Sequence, residues 1–417
     1  MNQGKKIGHL TLSGLIIGPL LGSGIILLPG IIYETSGSYA ILAWLIMSVI
    51  GIWFAYLCGE LIIMFPGEEG LGNAMEKAFG KQVKNLSSVF LFIAALMGPV
   101  AVMMTAAEYL HSWILFHHIK VEIIAMILLV CNGVILLFRL NFLGKLSLVI
   151  SSIAVLILIS GSLYSLIFNH LSEVSYSSFD VPSFGHSLLL LFWTIVGWEI
   201  VGNYSAEVKN MKATIRKAIF ISAFIITIVN LVLSAAVQWT DYDSSQFTMQ
   251  LTGVLHPLFG GFSIGILTIV ATGLCVTTHL MVVGGVARQI ASLTKSVDRL
   301  NIFTKKCKNG APISAINLLV MIHLVFAMLL LLNMVTVESL VGYANAFFIS
   351  NALIGILSAV KLFTSPLKKF FAIVLSLLFF LLLLRSSIIA LLIIVVLVLL
   401  FVGRKGGRRK SHIRKVG

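Results

Sequence analysis

Charge is scarce in this sequence. Asp, Glu, Lys and Arg make up only 11% of its 417 residues, against 59% hydrophobic ones. A water-soluble globule cannot hide that much apolar surface, and a disordered chain would need the opposite balance. Cysteine is scarce too. Cys58, Cys131 and Cys275 lie in apolar runs and Cys307 in a Lys-rich loop, so no disulfide framework is implied. Long polar connectors are missing: none exceeds about 25 residues, which leaves no room for a separate soluble domain. No stretch repeats with the period of a soluble repeat array. The pattern G-x-x-x-x-G-K-[ST] is absent, which argues against an ATP-driven pump. There is neither a nucleophile elbow nor a His-rich metal set, and His117-His118 lacks the further ligands zinc needs. No cofactor, no metal and no enzyme are expected.

What is present is apolar runs long enough to cross a bilayer. They recur at 10–34, 39–64, 87–113, 121–138, 143–168, 186–206, 215–238, 260–287, 313–334, 336–360, 370–384 and 386–402. Lys5 and Lys6 precede the first run, but it continues without an A-x-A site, so it reads as an uncleaved span. With the N-terminus inside, all 29 basic residues except Lys120 and Arg385 fall on the inner side. The expected protein is an all-α integral membrane protein of the cytoplasmic (inner) membrane of a bacterium, multi-pass, with twelve transmembrane helices and both termini cytoplasmic. The net charge of +14 then belongs to inner loops and to a basic tail at 403–417, facing anionic lipid rather than nucleic acid. The inner connector 289–312 mixes Leu293, Val297, Leu300 and Ile302 with basic residues, which suits a short helix at the interface.

Two spans break their own pattern. The first reads Leu20-Leu21-Gly22-Ser23-Gly24-Ile25 at mid-depth, where glycine favours unwinding. Unwound backbone at that depth must face protein or a wet cavity. It would also create a free helix N-terminus for a carboxylate and a free C-terminus for an ammonium group. Close packing of small residues is the competing explanation. The sixth span reads Phe192-Trp193-Thr194-Ile195-Val196-Gly197-Trp198-Glu199, with a carboxylate near mid-membrane. Spans 1 and 6 are matching members of two five-span halves, and paired glycine interruptions there point to a transporter with inverted repeats.

These residues carry a family resemblance. Gly22-Ser23-Gly24-Ile25 with Pro29 resembles the first-span signature of the amino acid–polyamine–organocation (APC) permeases. Glu60-Leu61 with Pro66-Gly67, Phe192-Trp193 with Val196-Gly197 and Glu199, Glu207-Val208-Lys209-Asn210, Arg288 and Pro312 follow in the family's order. Tyr343-Ala344-Asn345 with Lys361-Leu362 looks most like the bacterial methionine and branched-chain amino-acid exporter branch. Glu68-Glu69 and Met211 depart from the pattern on the inner side, and Ser151-Ser152 stands where proton-coupled members can carry a Lys.

The resemblance implies a LeuT-type fold in one transporter domain, 1–417. A first five-helix repeat would occupy 10–168, a second, inverted one 186–360, and two extra helices 370–402. It implies that Ser23, Gly24 and Ile25 hold a substrate carboxylate beside Gly22 and Gly197. Carbonyls of Leu20, Trp193 and Val196 would face the amino group, with Trp193 an aromatic gate. Glu199, Trp198 and His279 are the candidates for gating or proton coupling, and His323 is a second lone histidine. The far end of the pocket is expected to be lined by Leu96, Met97, Ala101, Leu274, Val276, Ala346 and Phe347, with no charge. The expected partner is therefore a neutral, apolar amino acid; the exporter-like tenth span implies Met, Leu, Ile or Val, moved outward by alternating access. Proton-coupled uptake, antiport, and a non-transporting amino-acid sensor are the alternatives; a coupling proton and a homodimer stay open.

Overall fold

The computed structural model describes residues 6–113, 118–169, 178–240, 250–296 and 298–402. The basic tail at 403–417 lies outside the described residues, as do Lys5, His117 and Val297 among the residues singled out above. Fifteen α-helices account for most of the described residues: α1 His9–Leu21, α2 Gly24–Ser36, α3 Ala40–Met64, α4 Gly72–Phe79, α5 Lys81–His111, α6 Val121–Ile135, α7 Leu140–Phe168, α8 Val181–Leu191, α9 Met211–Trp239, α10 Gln250–Phe259, α11 Ser263–Leu293, α12 Ile313–Leu331, α13 Val337–Leu362, α14 Pro366–Leu384 and α15 Ile388–Val402. Backbone amides in hydrocarbon must be satisfied within their own segment, which is why so apolar a chain folds into helices. Among the described residues nine stretches are long and apolar enough to cross a membrane, with α6 and α15 shorter apolar helices. The chain is a multi-pass integral membrane protein.

α5 lies between α11 and α13, and α1 packs against α7, α9 and α11. These inner helices carry small residues where they meet. A Cβ on Gly14 would reach Leu148 backbone at 2.5 Å, and one on Gly18 would reach Thr277 Oγ1 at 2.5 Å. Close approach of α1 to its neighbours therefore depends on glycine. The outer helices expose large apolar side chains, such as Leu392, Val395, Val396 and Leu399 on α15, as lipid contact requires.

Several sequence boundaries move. The third span begins at Lys81 rather than near 87, so Lys81 and Lys84 belong to the helix itself. α4 and α10 have no counterpart among the expected spans. Within the connector 289–312, α11 runs on to Leu293 and two short 3-10 helices follow, at Thr294–Ser296 and Asp298–Thr304. The extension has a physical cause. Arg288 and Gln289 are buried and bonded, Arg288 to Glu207 at 2.8 Å and Gln289 to Ser88 Oγ at 3.2 Å, so the helix is held well past the apolar run.

Candidate functional site

The first span is interrupted at mid-course. α1 ends at Leu21, Gly22 adopts φ +41°, and α2 starts at Gly24 with Ser23 ahead of it. The positive φ suits glycine, which has no Cβ to clash. Space excludes a side chain as well, since a Cβ there would lie 2.7 Å from Thr278 Oγ1. The last carbonyls of α1 and the first amides of α2 are left without intrahelical partners, which places opposite partial charges side by side.

The sixth span breaks beside it. α8 ends at Leu191 and tightens into a 3-10 turn over Phe192–Ile195. Val196 is extended at ψ 128°, Gly197 takes φ +124°, and a second 3-10 run covers Ile200–Glu207. Trp193 bridges the two interruptions: its indole N–H donates to Ser23 Oγ at 3.2 Å.

A small cavity of about 30 Å³ opens between the two breaks, room for a water or two rather than an amino acid. Leu20, Ser23, Gly24, Trp193 and Val196 line it. Gly22 and Gly197 shape the backbone around it, and Gly197 packs on Leu20 and Met281. Ile25 is fully buried and does not line it. Trp198 faces a different space, bounded by Trp44, Ser48 and Asn230. Glu199 is buried at the start of the second 3-10 run, where its Oε2 accepts the Gly197 amide at 3.1 Å.

The expected far wall needs correction. None of Leu96, Met97, Ala101, Leu274, Val276, Ala346 and Phe347 lines the cavity. The neighbouring faces do: Gly98, Pro99 and Val102 on α5, Thr278, Met281 and Val282 on α11, and Phe348 on α13. Depth alone suggested the former set, but neighbouring positions differ by about 100° around a helix, which is enough to turn them away. The Gly98-Pro99 pair inside an apolar span was the signal available. A Cβ on Gly98 would lie 3.3 Å from Phe348 Cε2 and 3.4 Å from Trp193 Cη2, so glycine lets three helices converge here. Among the described residues lining the cavity none carries a charge.

Polar side chains gather instead at the end of the bundle rich in Lys and Arg. Arg288 is buried under Tyr204, 4.9 Å from the ring centre, and pairs with Glu207. Glu69 pairs with Lys84 and accepts from Ser292 at 3.1 Å, while Glu68 faces Lys295 at 3.4 Å and Lys306 at 3.5 Å. Ser205 Oγ bonds both the amide and the carbonyl of Gly67. Ile7 donates its amide to the Glu207 carbonyl and accepts from Lys209. These contacts tie neighbouring elements together at this end.

Broken helices converging on a cavity inside a membrane-embedded bundle define a membrane transporter. The amino acid permease family model matches residues 7–413, and the chain belongs to that family. An uncharacterized amino acid permease of Bacillus subtilis (strain 168) is 20% identical over 52% of this chain and 52% of its own length. A cadaverine/lysine antiporter of Escherichia coli (strain K12) is 28% identical over 52% of this chain and 50% of its own. A putrescine transporter of the same strain is 30% identical over 26% of this chain and 25% of its own. The chain thus spans about half the length of the first curated relatives it matches.

Proposed function

We propose that the protein exports neutral, apolar amino acids such as methionine, leucine, isoleucine and valine across the cytoplasmic membrane by alternating access. The observation that carries this reading is the uncharged cavity at the paired helix breaks. There the amides at the start of α2 would take the substrate carboxylate, and the carbonyls of Leu20, Trp193 and Val196 its amino group. A charged side chain in such a lining would be left unpaired, a penalty of several kcal/mol, or roughly a hundredfold or more in affinity.

In this reading the helices make twelve crossings, α1–α2 and the 181–207 segment each counting as one broken crossing. The repeats are 10–168 and 186–360 in LeuT-type arrangement, followed by the two extra helices and a cytoplasmic tail. The basic end is the cytoplasmic one, by the distribution of Lys and Arg. Its ion pairs close the inner path, and Trp193 with Phe348 covers the cavity. Because the cavity is small, substrate entry requires these two side chains to move. The outward direction rests on the resemblance of the tenth span to the exporter branch.

A second reading is exchange of cationic substrates, favoured by the names of the cadaverine/lysine and putrescine relatives. Counterflow in vesicles containing the purified protein separates the two. Labelled leucine or methionine should exchange, with lysine, cadaverine and putrescine failing to compete. Competition by the diamines but not by leucine would reverse the assignment. Binding of leucine without any flux would make the protein a sensor.

A further inference from the structure

His279 and His323 are both completely buried, on α11 and α12, with their rings 5.5 Å apart at 72°. The state of one follows from the backbone. Pro99 lies inside α5 and has no N–H, so the carbonyl of Ala95, four residues earlier, has no helical partner. His323 Nε2 lies 2.8 Å from that carbonyl. A carbonyl can only accept, so Nε2 carries the hydrogen and Nδ1 is left a bare acceptor. Among the described residues Nδ1 has no partner, and neither ring nitrogen of His279 has one. Three unpaired nitrogens on two neighbouring rings inside a membrane protein are expensive unless something satisfies them.

The pair stands directly behind two walls of the cavity. Thr278, next to His279, lines it and donates Oγ1 to the Pro19 carbonyl at 3.2 Å, at the end of α1. Pro99, which orphans the Ala95 carbonyl that His323 meets, lines it too.

We propose that His279 and His323 form a binding site for one proton that is taken up and released during transport. This rests on the transport reading above. A proton from water adds to the lone pair of neutral His279, and the imidazolium donates to His323 Nδ1. No electrons move, and release to water on the other side restores the neutral pair. An N–H···N bond of about 3 Å fits this ring separation once the two nitrogens turn toward each other. A second proton would set two positive charges against each other, so the site holds one.

Other titratable groups stand apart. Cys275 is one turn away on α11 and Arg288 is nine residues further on, about 13 Å along the axis. On α5, Glu108 and Tyr109 lie at one end and Lys84 at the other. On α6, Glu122 is in the first turn and Cys131 is exposed; α12 carries no further titratable side chain. The 3-10 run beside α11 offers Tyr204, bonded to the Met281 carbonyl, and Glu207, bonded to Arg288. Of the remaining elements against the two helices, α7 carries Lys145 and Tyr164, α1 carries His9, α10 carries His256, the turn at Thr294–Ser296 carries Lys295, and the turn at Asp298–Thr304 carries Asp298. Among the described residues the only histidine facing His279 is His323. The proton therefore alters the residues beside Thr278 and Ala95 first, which links its binding to the cavity wall.

The test uses the full chain in vesicles loaded with a pH-sensitive dye and given a leucine gradient. The wild type should move about one proton per leucine. His279→Gln and His323→Gln should each lose the leucine-driven pH change at least tenfold, while leucine–leucine exchange remains measurable. Glu199→Gln serves as the contrast, because Glu199 is a buried carboxyl group beside the break at Gly197. Loss of proton movement there, with both histidine variants still coupled, overturns the proposal. So does leucine movement without protons in the wild type, a measurement that needs no variant and leaves the transport reading intact. No leucine movement in the wild type sinks both.

Discussion

Trp193 and Ser23, 170 positions apart, meet across the two helix breaks through one hydrogen bond of 3.2 Å. The bond joins the interruption of the first span to that of the sixth, so the two breaks form one structure rather than two local irregularities. If substrate displaces the indole, that bond is the first to break.

Trp193→Phe should therefore keep the ring that meets Phe348 edge-on, 6.4 Å between centroids, and lose only the bond to Ser23. A neutral hydrogen bond of about 1 kcal/mol corresponds to a change of about fivefold. Trp193→Ala removes the cover altogether, and leucine counterflow should fall well beyond that. Equal, near-wild-type rates for both variants would return Trp193 to ordinary packing.

Gly24→Leu should abolish flux while leaving insertion intact. A Cβ there would sit 3.2 Å from Thr194 Cγ2 and 3.3 Å from Trp193 Cδ1, and the rest of a leucine would extend toward the same side chains. Membrane yield and counterflow measured on the same preparation decide the matter.

At the basic end, Glu207→Gln should destabilise the protein more than Glu68→Gln. Arg288 is only 8% exposed, so loss of its charge partner leaves a poorly solvated guanidinium; the half-exposed Glu207 limits the effect to about 1–2 kcal/mol. Glu68 meets lysines that are 56% and 44% exposed, and exposed pairs contribute about 0–1 kcal/mol. Thermal unfolding in detergent at low and high salt should show a salt-insensitive loss for the first and little change for the second.

Cys307 provides a check on sidedness. It is half-buried at the basic end, where its Sγ approaches the Leu137 carbonyl at 3.6 Å, whereas Cys58 and Cys275 are fully enclosed. In a Cys131→Ser background, which removes the exposed cysteine, a membrane-impermeant maleimide should label Cys307 in inside-out vesicles and not in intact cells. Labelling in intact cells would invert the topology.

Much of this architecture could be read from residue types alone. Gly22-Ser23-Gly24 and Gly197 marked the places where helices would stop, because glycine in a span interior is locally unfavourable. The faces of α5, α11 and α13 toward the cavity were illegible: helices apolar all round carry no amphipathic stripe to give their rotation. Each histidine also looked solitary, because their pairing across 44 sequence positions depends on how α11 packs on α12. Arg288 was noticed as a loop-flanking residue, and only the structure shows it inside a helix beneath Tyr204. Nothing in the sequence marked α4, which lies between the Glu68-Glu69 turn and α5.

The backbone stitch at Ile7 gives the start of the chain a mechanical role. Its amide reaches the carbonyl of Glu207 at 3.0 Å, and its carbonyl takes the Lys209 amide at 2.9 Å, so the strand-like pairing brackets Val208 and begins at the residue that holds Arg288. Because main-chain atoms make both bonds, the stitch is blind to side-chain identity apart from the volume of one buried apolar group. It is sensitive to chain length. A deletion that shifts its register by one residue would break both bonds and disturb the turn that carries Glu207 and, through it, Arg288.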